Sequence, residues 1–208
     1  MAFDLLISFA IATSALAISP GPDNIYVLMH SMVNGKKYGL ATVAGLIAGC
    51  MVHTTLVAFG VSAIIKQNDT LFFILKLLGA LYLLFLAFKI YQSNSALSLG
   101  STHIPKKNLG QLFKQGFIMN VLNPKVSIFF LAFFPGFLFS DTMSTIVQFY
   151  VLGLLFMLVS AIIFSTIAIL AGSISDAIKQ NQRIGFYLKW LQILVFVSIA
   201  MLIFTSEK

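Results

Sequence analysis

The stretch LAISPGPDNIYVL, residues 16–28, lies inside an apolar run near the start of the chain and decides how the rest is read. It packs two prolines, a glycine, an aspartate and an asparagine into five consecutive positions, 20–24, with Ser19 before them. Proline removes a backbone donor and clashes with the preceding helical turn, and a charged aspartate is costly in hydrocarbon. Their surroundings set the solvent. Of 208 residues, 59% are hydrophobic, 9% are charged and 21 are phenylalanine. A soluble globular domain carries roughly 25% charge, so the chain reads as a membrane protein and its length as a number of spans of about 20 residues each.

Runs free of Asp, Glu, Lys and Arg locate three spans, at 38–65, 142–175 and 190–206, with Tyr187 and Trp190 as interfacial anchors of the last. Three further spans contain charge: 3–31 (Asp23), 70–92 (Lys76 and Lys89) and 112–139 (Lys114 and Lys125). In the 70–92 span only 77–88 is charge-free, so both lysines must snorkel toward the interfaces. All six are read as helices, because the runs far exceed the roughly 10 residues of a barrel strand. Residues 1–8 carry Asp4 and no Lys or Arg, unlike the positive start of a secretory signal, and are read as retained.

Loop charge predicts orientation. Lys36, Lys37, Lys89, Lys106, Lys107, Lys114, Lys179, Arg183 and Lys189 fall on one side, and Lys66, Lys76 and Lys208 on the other. The positive-inside rule makes the first side cytoplasmic and puts both termini outside. The net charge of +7 then suits anionic lipid and calls for no nucleic acid.

The longest polar segment, Ser93–Lys107, divides the chain into halves of three spans: 1–92, a cytoplasmic linker at 93–111, and 112–208. Three is odd, so the second half enters the membrane from the opposite side, which is the arithmetic of an inverted repeat. The halves then correspond if the fourth span is also broken. It is, in LNPKVSIFFLAFFPGF, residues 122–137, where Pro124 lies 104 positions after Pro20. The expected fold is an all-α integral membrane protein, six helices in two inverted three-helix repeats, with the first and fourth helices broken.

Each broken helix brings one charge and polar amides to a similar depth: Asp23 and Asn24 in the first, Asn120, Asn123 and Lys125 in the second. The reading is a polar centre between the halves, with Asp23 and Lys125 close to each other or both close to a bound ion or substrate. Its residues are Pro20, Gly21, Pro22, Asp23, Asn24, Asn120, Asn123, Pro124 and Lys125. Gly45, Gly49 and His53, spaced by four, share one helix face and read as close packing. His53, with Asp23, is a candidate proton relay, although a hydrogen-bonded packing role fits it and His30 as well. His103 falls in the linker. Phe129, Phe130, Phe133, Phe134 and Phe137 read as lipid-facing or helix-packing surface.

SPGPDN in the first span and GFIMNVLNPKVSIFFLAFFPGF in the fourth resemble the LysE/RhtB family of bacterial amino-acid exporters, and the likeness extends over essentially the whole chain. The matching positions are Pro20, Gly21, Pro22 and Asp23, then Gly116, Asn120, Asn123, Pro124 and Lys125, followed by Phe134, Pro135 and Phe137. Gly35 and Gly39, around Lys36 and Lys37, look like the family's first loop. The family often has glutamine where this chain has Gly136. The resemblance implies export of amino acids or close derivatives across the bacterial inner membrane, driven by proton antiport. The partners are then a small amino acid, protons and lipid, and the small-residue faces permit a homodimer. With Asp23 as the intramembrane acid, neutral substrates of the threonine, homoserine or leucine type are favoured.

Other classes fit less well. A thiol-redox carrier needs two cysteines, and Cys50 is alone. An exporter of a metal ion would gather carboxylates, thiols or imidazoles, and Asp23, His30, His53 and Cys50 are scattered in sequence. No nucleophile set, metal site or cofactor motif suggests an enzyme. An exporter of another small solute, or a membrane protein without transport activity, remains the alternative.

Overall fold

In the computed structural model, residues 2–67, 69–93, 107–181 and 183–205 are described. They form ten α-helical segments and no strand. Segment α1 (Ala2–Ile18) and α2 (Pro22–Asn34) make up the first bent pair. Next come α3 (Lys36–Leu56), a π-helical turn at Val57–Val61, α4 (Ser62–Gln67) and α5 (Asp69–Gln92). The second half begins with α6 (Leu109–Val121) and α7 (Pro124–Ile128), the latter running on through a π turn at Phe129–Phe133 and a 3-10 turn at Phe134–Phe137. It ends with α8 (Thr145–Ile169), α9 (Ala171–Gln180) and α10 (Arg183–Thr205).

Four stretches are long and apolar enough to cross a membrane: Lys36–Ile64, Thr70–Gln92, Thr145–Ile169 and Arg183–Phe204. Two pairs qualify when joined, Phe3–Ile18 with Pro22–Asn34, bent by 61°, and Leu109–Val121 with Pro124–Phe137, bent by 48°. The number of spans is thus four to six, and the protein is an all-α membrane protein with several crossings. Both bends fall where the prolines placed them.

Some boundaries differ from the sequence reading. The fifth span ends at Ile169, not near 175. Leu170 turns the chain (φ −91°, ψ 14°), and α9 follows as a separate amphipathic helix. A rule based only on charge does not register the Gly-Ser-Ile-Ser polarity of that segment. The sixth span starts at Arg183 and takes in Lys189, whose ammonium donates to the Tyr91 and Ser93 carbonyls at 2.7 Å each. Segment α6 starts at Leu109, three residues before the expected limit. There Asn108 and Gln111 cap each other's backbone, the side chain of each accepting the other's N–H at 2.8 and 3.0 Å. The central part of the expected linker, 94–106, with Lys106 and His103, lies outside the described residues, as does Lys208.

The tightest helix crossing is α3 on α6. Glycines on both sides allow it. A side-chain carbon at Gly45 would run into the Phe113 carbonyl, and one at Gly116 into the Thr42 carbonyl. In lipid, where burial of apolar surface does not drive helices together, such close approach of backbones is what holds them. The small-residue face read from Gly45 and Gly49 is therefore packing surface. Segment α8 closes the other side of α3, with Gly153 against Thr54, and α5 packs along α10.

The phenylalanine series of the fourth span faces inward. Phe129, Phe130, Phe133 and Phe134 are buried almost completely around Phe9 and Phe156, with Phe130 and Phe134 stacked at 4.0 Å and Phe9 edge-on to Phe134 at 4.9 Å. Of the two surfaces expected for it, helix packing is the one it forms. The residues left to lipid are those such as Phe73, Leu78, Leu81 and Phe85 on α5, or Leu154, Leu158 and Ile162 on α8.

Candidate functional site

The break in the first span creates a bonding problem that the second span solves. Pro20 has no N–H for the Leu16 carbonyl four residues back, so that carbonyl is orphaned at the end of α1. Lys125 takes the missing donor's place. Its Nζ donates to Leu16 O at 2.9 Å and to Ser19 O at 3.1 Å. Asn24 Nδ2 donates to the Ala17 carbonyl at 2.8 Å. The ammonium of one broken helix therefore sits on the carbonyl end of another, where the helix dipole is negative. It also lies 5.7 Å from the centre of the Phe196 ring.

Asp23 occupies the complementary place. It is in the first turn of α2, which begins with Pro22 after an extended Gly21 (φ −155°, ψ 177°) and has no side-chain cap. The positive end of a helix favours a carboxylate there. Asp23 is buried and accepts a hydrogen bond from Asn123 Nδ2. Asn123 does double duty, because its Oδ1 accepts from Lys125 N at 3.0 Å and caps α7. The two charges thus reach each other's half-helices through Asn123 and the freed carbonyls. Among the described residues they make no direct ion pair. Lys125 belongs to the first turn of α7, yet its ammonium lies on the C-terminal carbonyls of α1.

Two cavities meet at Lys125. The smaller, about 20 Å³, is lined by Asp23, Asn24, Cys50, Asn120, Lys125 and Ser160 together with apolar groups. The larger, about 320 Å³, is lined by Gly21, Pro22, Asn123, Pro124 and Lys125, and by Tyr82, Lys89 and Gln192 from the third spans of the two halves. Eight of the nine expected centre residues therefore line one of these two spaces. Pro20 lines a third, apolar cavity of about 190 Å³ beside α9.

His53 lines none of them. Its Nε2 donates to the Asn120 carbonyl at 3.0 Å and its ring lies 5.4 Å from that of Phe130. His30 is further away, against Tyr26 and Asn34. Sequence reasoning missed Tyr82, Gln192 and Ser160. For Gln192 the available signal was a polar amide within an otherwise apolar span, which is costly in a membrane, whereas Tyr82 and Ser160 carry no such mark.

The geometry is that of a helical membrane protein with a polar centre between two broken spans, and the family comparison makes it a transporter. The profile of the LysE type translocator family matches residues 14–206, and the chain belongs to that family. It is 30% identical over 179 residues to a homoserine/homoserine lactone efflux protein of Salmonella typhimurium, covering 86% of each chain. It is 28% identical over 196 residues to a leucine efflux protein of Salmonella choleraesuis, covering 93% of this chain and 91% of that one. No solved structure matches it significantly.

Proposed function

We propose that this protein exports neutral amino acids or close derivatives from the bacterial cytoplasm across the inner membrane, in exchange for protons. One observation carries the reading. Asp23 and Lys125, opposite in sign, are held on two broken helices and line the same small cavity, and Lys125 also lines the larger one. A zwitterion needs such a pair. Lys125 uses two of its three N–H donors on carbonyls, which leaves one for a substrate carboxylate. The uncapped first turn of α2 adds N–H groups at the same place. Asp23 serves the ammonium. The preference for neutral substrates is supported by the cavity linings, in which Asp23 is the one acidic residue described. The names of the two relatives point to substrates of that kind.

Proton coupling follows if Asp23 alternates between the substrate ammonium and a proton as the centre opens to each side. Each proton entering against an exported neutral zwitterion carries one charge through the membrane potential, worth about 2.3 kcal/mol per 100 mV. His53 is then a positioning residue for Asn120 and not a relay. The repeat reading is supported by the matched bends and by the way the second spans, α3 and α8, and the third spans, α5 and α10, pack on each other. Both termini then lie outside.

The test uses cells loaded with dipeptides of leucine, homoserine, threonine and lysine, with the free amino acids collected outside. Expressing cells are expected to release the neutral ones several-fold faster than controls. Equal release with and without the protein for every amino acid tried would overturn the reading.

A further inference from the structure

The smaller cavity contains two polar atoms that the protein leaves unsatisfied. Asn120 and Ser160 are 3% and 1% exposed, and Asn120 Oδ1 and Ser160 Oγ are buried with no hydrogen-bond partner. Native interiors leave few such atoms, and each calls for an explanation. Both residues line the chamber together with Asp23. They are brought there by construction. Gly49 lets α6 come so close that a side-chain carbon on it would sit 2.8 Å from Asn120 Oδ1. The Asn120 amide nitrogen is engaged with Cys50 Sγ at 3.5 Å, so its oxygen is the atom left over. Ser160 comes from the interior of α8.

The chamber therefore offers three acceptors from three spans: the Asp23 carboxylate, Asn120 Oδ1 and Ser160 Oγ. A primary ammonium carries three donors and one positive charge. At about 20 Å³ the chamber admits a group the size of a water molecule and nothing larger. An ammonium head fits that space, and the remainder of an amino acid must lie beyond Lys125, which lines both cavities. We infer that this chamber is the ammonium subsite of the transporter, that Ser160 and Asn120 bind substrate there, and that the site prefers substrates with an unsubstituted primary amine. The inference rests on the export reading above. The other occupant the chamber could take is a resident water.

Export from proteoliposomes of labelled leucine, homoserine and N-methyl-leucine tests it, comparing wild type with S160A and S160T. The wild type is expected to move leucine or homoserine, and N-methyl-leucine with a KM about tenfold higher, from the loss of one charge-assisted hydrogen bond. S160A is expected to raise KM for the primary amines about tenfold with maximal rate within about twofold. S160T, which keeps the hydroxyl, restores it. Because KM does not depend on the amount of folded protein, poor insertion of a variant does not mimic the effect. Wild-type export with KM unchanged in S160A means a water-filled chamber and overturns the inference while leaving the function standing. A wild type that moves neither amino acid overturns both.

Discussion

At the scale of single residues, the centre depends on a donor that is absent. Pro20 withholds an N–H from Leu16 O, and Lys125 supplies it from the other half of the protein. K125M leaves the Leu16 and Ser19 carbonyls unpaired at the cost of about 1–3 kcal/mol each, and removes the cation proposed to hold the substrate carboxylate. Export is expected to fall at least tenfold in protein that still reaches the membrane, measured as amino-acid release per unit of inserted protein. P20A should act in the opposite direction on stability. It returns an N–H to the first helix, competes with Lys125 for Leu16 O, and is expected to raise the thermal unfolding temperature while slowing export. An equal or faster export rate in P20A would show that the break is not needed. The sequence made Pro20, Asp23 and Lys125 conspicuous, because prolines and charges are rare in spans. It did not reveal Ser160, since a lone serine in an apolar helix has no local mark that separates a binding group from a tolerated one.

At the scale of elements, the α3–α6 crossing holds the site in register. Asn120 stands opposite Gly49, and both backbones meet at Gly45 and Gly116. G116A is expected to destabilise the fold by about 1–3 kcal/mol through overpacking against the Thr42 carbonyl. G60A serves as the contrasting case, since nothing lies within 4 Å of a carbon added there, and it should be close to neutral. Thermal unfolding of the two variants side by side measures the difference. The two broken helices and the first glycine face were legible from proline and glycine spacing. The π turns at Val57–Val61 and Phe129–Phe133 were not, because one extra residue in a helical turn leaves hydropathy unchanged. The π turn after Lys125 carries the aromatic series into the core, where Phe129 and Phe130 lie side by side in sequence and are both fully buried. The boundary between α8 and α9 was hidden for a related reason, as charge is a coarse measure of where a helix leaves the membrane.

At the scale of the whole molecule, the proposal is that two halves share one polar centre in the orientation read from loop charge. Single cysteines in a C50A background test that orientation. N108C is expected to be labelled only from the cytoplasmic side and T142C only from outside, read with an impermeant thiol reagent on intact cells. The overall class was legible because hydropathy and charge sum over many residues. The pairing of Asp23 and Lys125 with each other's helix ends was not, because it arises only where segments about a hundred positions apart in sequence come together. The measurement that tests the central claim most directly is proton movement in proteoliposomes during outward flux of leucine or homoserine, compared between wild type and D23N. The account predicts proton entry that follows amino-acid flux in the wild type, and loss of gradient-driven export in D23N. Full gradient-driven export by D23N would contradict it.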